Sequence, residues 1–230
     1  MSSIYGGKEL AESFRTVRKN TIQVAEDIPE DRYKHVAGEG CRSVARMLTH
    51  VAISTRIWEE IHKQGLTTLQ GFDFFGMIDK FTAEEIKPRT KAEIVALLRS
   101  EGDKFASWLE TTTPEFLAET VTDPDGKSAK TRFERLLSAK EHEMHHRGQL
   151  MLIERQLGIV PHLTRQFEER MAQMNYWGEK WDLHIDICPC DVHINEWVEA
   201  RKLTGKSIRS VFVLVLLWVS VQMFLKGLRS

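Results

Sequence analysis

Apolar residues recur at steps of three and four along the chain as far as about Asn175. Leu10, Phe14, Val17, Thr21, Val24 and Ile28 form one stripe, predicting a helix from about Glu9 to Ile28 that Pro29 stops. After a glycine-rich loop over 36–41, Val44, Met47, Val51, Trp58 and Ile61 predict a second helix, from about Ser43 to His62. The stripe Ile94, Leu97, Leu98, Phe105, Trp108 and Leu109 marks a third, opened by the capping box Thr90-Lys91-Ala92-Glu93. A fourth follows the turn signal Asp123-Pro124-Asp125-Gly126 and runs from about Thr131 to Leu157, closed by Gly158 and Pro161. A further, highly charged helix over about Leu163 to Met174 is expected on the surface. Alternation of period two is almost absent. The expected architecture is all-α: an antiparallel four-helix bundle over 1–175, with an extension over 176–230.

One connection is unusually long. From Lys63 to Arg89 it carries the aromatic patch Gly71-Phe72-Asp73-Phe74-Phe75-Gly76-Met77, and a capping-box pattern at Thr82–Glu85 predicts a short helical turn. Connections of this length in compact domains usually cover something. Core packing is the expected role of Trp58, Phe72, Phe74 and Phe75, with a pocket wall as the alternative.

The fourth helix contains Lys140-Glu141-His142-Glu143-Met144-His145-His146-Arg147-Gly148-Gln149-Leu150. His142 and His146 lie one turn apart, about 40° from each other around the axis, on the face that carries Ala139, Leu150, Ile153 and Leu157. Two imidazoles so placed chelate one ion. His50 occupies the middle of the apolar side of the second helix and is the candidate third ligand. Each of these histidines alone is more simply a hydrogen-bonded core residue. Three of them buried without partners would cost on the order of 2 kcal/mol or more each, which ligation relieves. A set of three neutral imidazoles suits zinc, nickel or iron and leaves a coordination position open.

Around this set, Gln149 faces the metal side and is placed to bond either a ligand histidine or a neighbouring backbone group, while His145 sits at the stripe's edge as a substitute for His146 that the stripe itself disfavours. Arg147 and Glu143 project obliquely, Arg147 towards a surface or interface ion pair. His142-Glu143-Met144-His145-His146 also satisfies the H-E-x-x-H pattern, in which the glutamate is the general base of zinc peptidases. Against that, Gly148 is one residue early for the metzincin extension and Leu152 stands where its third histidine belongs. Glu168 is available as a gluzincin ligand, but no sheet is expected beside the helix.

The early Met47-Leu48-Thr49-His50-Val51-Ala52 and the late His142-x-x-x-His146-Arg147-Gly148-Gln149-Leu150 together resemble the DinB/YfiT-like family of metal-dependent proteins, over roughly Leu10 to Met174. The resemblance implies an up-down-down-up bundle, often dimeric, with metal ligands His50, His142 and His146. It implies hydrolases or transferases of low-molecular-weight thiols, and it sets no substrate.

Composition narrows the classes further. Lys and Arg number 32 against 33 Asp and Glu, a net charge of -1, which leaves no electrostatic footprint for nucleic acid. The opening residues turn polar too soon for a secretory signal, and three cysteines make an odd count, so a reducing cytoplasm is expected. Beyond Asn175 the character changes: Trp177, Trp181 and Trp197 fall among polar residues, and His184, Cys188, Cys190 and His193 have the chemistry, though not the usual spacing, of a zinc site. The apolar run over 208–228, flanked by Arg209 and Lys226, is a candidate membrane contact, a helix docked on the bundle or a partner, or a buried strand.

The expected function is a metal-dependent hydrolase or low-molecular-weight-thiol transferase acting on a small-molecule substrate. The alternatives are a non-catalytic metal-binding module and, more distantly, the zinc peptidase.

Overall fold

The computed structural model describes residues 5–173. Four long helices form a bundle: α1 (Gly7–Asp27), α2 (Val44–Lys63), α4 (Lys91–Glu110) and α6 (Arg132–Gln156). Between and after them come α3 (Phe74–Glu85), α5 (Pro114–Ala118), a hairpin of β1 (Thr120–Thr122) and β2 (Ala129–Thr131), and α7 (His162–Gln173). Each of α1 and α2 packs against both α4 and α6, so α1 and α2 lie across a diagonal.

The starts of the helices are written in local chemistry. Ser43 accepts a bond from the Arg46 amide at the head of α2. Thr90 with Glu93 and Thr131 with Glu134 form reciprocal capping boxes on α4 and α6. The turn signal at 123–126 lies at the tip of the hairpin; three-residue strands are too short to display an alternating pattern.

Two apolar clusters fill the interior at different heights. One joins Ile22, Val24 and Ile28 of α1 and its C-terminal end to Val44, Leu48 and Val51 of α2, Ile94 and Leu98 of α4, and Leu150 and Ile153 of α6. The other joins Leu10 and Phe14 to Phe105, Leu109, Leu136 and Ala139. The first cluster therefore holds the end of α1, the start of α2, the start of α4 and the end of α6. The four helices run up, down, down and up.

This topology explains the long connection after α2. Parallel neighbours such as α2 and α4 need a crossover that travels back along the bundle, and α3 is that crossover. Its expected boundaries were too narrow. The helix is capped by Asp73, whose carboxylate accepts from the Gly76 amide, and Thr82–Glu85 is its last turn and not its first. Phe72, Phe74 and Met77 pack with Ile61, Leu69 and Val121, and Trp58 packs on the second cluster, while Phe75 stays exposed. Among the described residues no helix is long and apolar enough to cross a membrane. The extension over 176–230, with its cysteines, tryptophans and the run 208–228, lies outside the described residues.

Candidate metal centre

Between the two apolar clusters the bundle has a polar waist. Arg18 of α1 and Glu143 of α6, 3% and 1% exposed, pair there through contacts of 2.9–3.0 Å. Arg18 also donates to the Leu98 carbonyl of α4 at 2.7 Å and to the Val51 carbonyl of α2 at 3.2 Å. One guanidinium thus bonds all three neighbouring helices. Its anchors on α2 and α6 immediately follow His50 and His142 in sequence.

On the facing sides of α2 and α6, the three expected ligands come together. His50 Nε2 lies 3.1 Å from His142 Nε2, which lies 3.2 Å from His146 Nε2. One nitrogen from each of the three falls within 4.8 Å of the others. Neighbouring ligand nitrogens around a tetrahedral zinc, at about 2.05 Å from it, stand about 3.3 Å apart, and the two short spacings match this. His146 is buried, whereas His50 and His142 are partly exposed, so the site sits at the core's edge and opens outward.

The hydrogen bonds behind two of the rings assign their protons. His50 Nδ1 meets Glu85 Oε2 at 3.0 Å, and His146 Nδ1 meets the Gln149 carbonyl oxygen at 2.9 Å. Both partners accept only, so both Nδ1 atoms carry hydrogen and both Nε2 lone pairs point at the shared space. Burial pushes the His142 imidazole down to about 4, helped by the neighbouring imidazoles. Burial also lowers His50, assisted by the Arg42 charge and opposed by Glu85, and lowers His146 against the bond from Gln149. All three rings are neutral at pH 7, as ligation requires. The His50 and His146 lone pairs converge on His142 Nε2, and His142 Nδ1 is buried without a hydrogen-bond partner among the described residues. The donor set fits a divalent ion.

The remaining residues divide clearly. His145 is exposed and accepts from the Gln149 amide nitrogen at 3.2 Å; it stands outside the cluster. Glu168 is exposed and is not part of it either. Arg147 is half-buried and donates to the Val17 carbonyl, and it forms no surface ion pair among the described residues. Glu143 faces the interior, committed to Arg18, so the H-E-x-x-H string lacks its general base.

Sequence reasoning missed Glu85. Burial alone would raise its carboxyl, but the hydrogen bond and charge of Arg42, together with His50, hold it below the usual carboxylate range. Only the crossover topology, which carries α3 back past His50, signals it.

The DinB family model matches residues 1–179. The chain belongs to the DinB family. Its relatives include YjoA of Bacillus subtilis, 23% identical over 151 residues, spanning 65% of this chain and 90% of YjoA. The crystal structure of YjoA, a DinB-like protein, superposes with a TM-score of 0.50 at 23% identity, over 65% of this chain and 92% of that one. YfiT of the same organism, described as a probable metal-dependent hydrolase with an unusual four-helix bundle topology, gives a TM-score of 0.55 at 18% identity, over 69% and 93%. At these identities the two structures establish the family's bundle for this chain and leave its chemistry to its own residues.

Proposed function

We propose that the protein is a metal-dependent enzyme of the hydrolase or thiol-transferase type, with His50, His142 and His146 holding one divalent ion. The observation that carries this is the convergence of three neutral imidazole nitrogens in one partly open site. The description of YfiT as a probable metal-dependent hydrolase supports the same reading. When bound, such an ion acts as a Lewis acid and makes water or a thiol a nucleophile near neutral pH.

What the chain itself contributes is orientation and charge. Glu85 and Gln149 hold the outer nitrogens of two ligands, and Arg18 ties the ligand-bearing helices to each other and to α1 and α4. Glu143 is bound to Arg18, and Glu85 to His50, Arg42 and Arg46, so neither carboxylate is free to serve as a general base. That favours reactions in which the nucleophile is activated at the ion over those needing a carboxylate base, as peptidases of the H-E-x-x-H type do. Zinc, nickel and iron(II) all suit an imidazole set.

Elemental analysis of the purified protein tests the site. About one divalent ion per chain is expected, with His50→Ala losing it. A His50→Ala variant that keeps full metal occupancy, or a wild type that takes up neither zinc nor nickel, would overturn the reading.

A further inference from the structure

We propose that Glu85 is a positioning residue of the three-histidine centre: its carboxylate fixes the tautomer and ring orientation in which His50 Nε2 faces the ion. This inference rests on the metal-binding reading above and extends the centre outward to α3.

The geometry divides the work between two oxygens. Oε1 of Glu85 accepts from Arg42 Nε at 2.8 Å and from Arg46 at 2.9 Å, while Oε2 takes the Nδ1–H of His50 at 3.0 Å. Arg42 lies just before the Ser43 cap, and Arg46 and His50 stand one turn apart on α2, so two cations and a ligand meet the same carboxylate. The carboxylate is 4% exposed. Between the guanidiniums and the imidazole it has little freedom to turn.

The backbone that delivers it is equally fixed. Glu85 ends α3, whose Met77 is buried against Ile61, Leu69 and Val121, with Phe74 and Phe81 packed around them. Arg89 and Lys87 both pair with Glu84 next door. The crossover thus places one acid against the outer nitrogen of one ligand. A carboxylate there keeps Nδ1 protonated, makes Nε2 a stronger donor and offsets part of an ion's charge. The three imidazoles supply no negative charge of their own.

A purely structural role, in which the acid only pins α3 to α2, predicts something different. It would lower stability and leave the centre's affinity and His50's tautomer alone. The test uses full-length wild type, Glu85→Ala and Glu85→Gln. Zinc affinity is measured by competition with a chromophoric chelator, and the His50 tautomer by long-range proton–nitrogen NMR on the metal-free proteins. Glu85→Ala is expected to weaken zinc binding about 10- to 100-fold and to remove the preference for the Nδ1–H form. Glu85→Gln keeps a carbonyl acceptor without the charge, and is expected to hold the tautomer and lose part of the affinity. If Glu85→Ala proves unfolded, Glu85→Gln decides: zinc affinity equal to wild type overturns the proposal. Wild-type affinity and an unchanged tautomer in a folded Glu85→Ala overturn it equally. A wild type that binds no zinc fails at the metal-binding reading itself, before Glu85 enters.

Discussion

Glu154 is the residue most at odds with its surroundings. It is 0% exposed on α6, and neither carboxylate oxygen has a hydrogen-bond partner among the described residues. Burial, with the Asp27 charge adding to it and Arg165 and Arg155 opposing, pushes the carboxyl up from 4.5 to about 8. The folded state therefore prefers the protonated acid, and the unfolded chain releases that proton near the ordinary value. Stability from this group is complete below about pH 4.5, declines as pH rises, and is lost through about pH 8. Glu154→Gln removes this titration and keeps the shape. The variant's advantage in melting temperature over wild type is expected to grow between pH 5 and 9, measured by calorimetry in the same buffers. A constant difference across that range would show that Glu154 does not hold its proton in the fold. Polar burial of this kind is tolerated at Arg18 and Glu143 for a different reason. There each charge has its partner and the guanidinium's other donors reach carbonyls, so little is left unsatisfied.

At the level of the helices, two glycines make opposite predictions from the same propensity rule. A methyl in place of hydrogen inside a helix ordinarily stabilises it by about 1 kcal/mol. On α6, a Cβ at exposed Gly148 would meet none of the described residues within 4 Å, so Gly148→Ala is expected to gain that amount. On α4, a Cβ at buried Gly102 would lie 2.7 Å from Cγ of Arg18, whose head is bonded to α2, α4 and α6 and cannot withdraw. Gly102→Ala is expected to lose about 1–3 kcal/mol by overpacking. Urea denaturation of the two variants checks both signs. The periodic stripes made α1, α2 and α4 legible along their lengths, while on α6 buried Glu143 and His146 break the apolar side, and the turn before it and the capping boxes at Thr90 and Thr131 marked the starts. The same stripes oriented His50, His142 and His146 inward and Gln149 towards them. What periodicity could not show was contact between residues on different elements. Glu143 pairs with Arg18 across 125 positions, and Glu85 meets His50 from a crossover whose path is set by the parallel arrangement of α2 and α4. Reading Thr82–Glu85 as the start of a helix also assigned Glu85 a capping role, which concealed it.

For the whole molecule, an ion held at the proposed centre would couple metal binding to folding. The candidate ligands come from α2 and α6, distant in sequence, and Glu85 of α3 bonds one of them. An unfolded chain cannot hold the three imidazoles together, so an ion bound there stabilises the folded state by mass action. At a free concentration about 100 times its dissociation constant, the gain is about 2.7 kcal/mol. For a domain of this size that corresponds to roughly 5–10 °C in melting temperature. Zinc added to chelator-stripped protein is expected to raise the melting temperature by that amount, and excess chelator to reverse it. His50→Ala should abolish the response, because two histidines one turn apart on α6 then remain as a weak pair. His145→Ala should leave it intact, since His145 stands outside the cluster and contacts Gln149 from the exposed side. A zinc response that survives in His50→Ala and disappears in His145→Ala would move the ion to His145, at the exposed edge of α6, where binding does not join two helices.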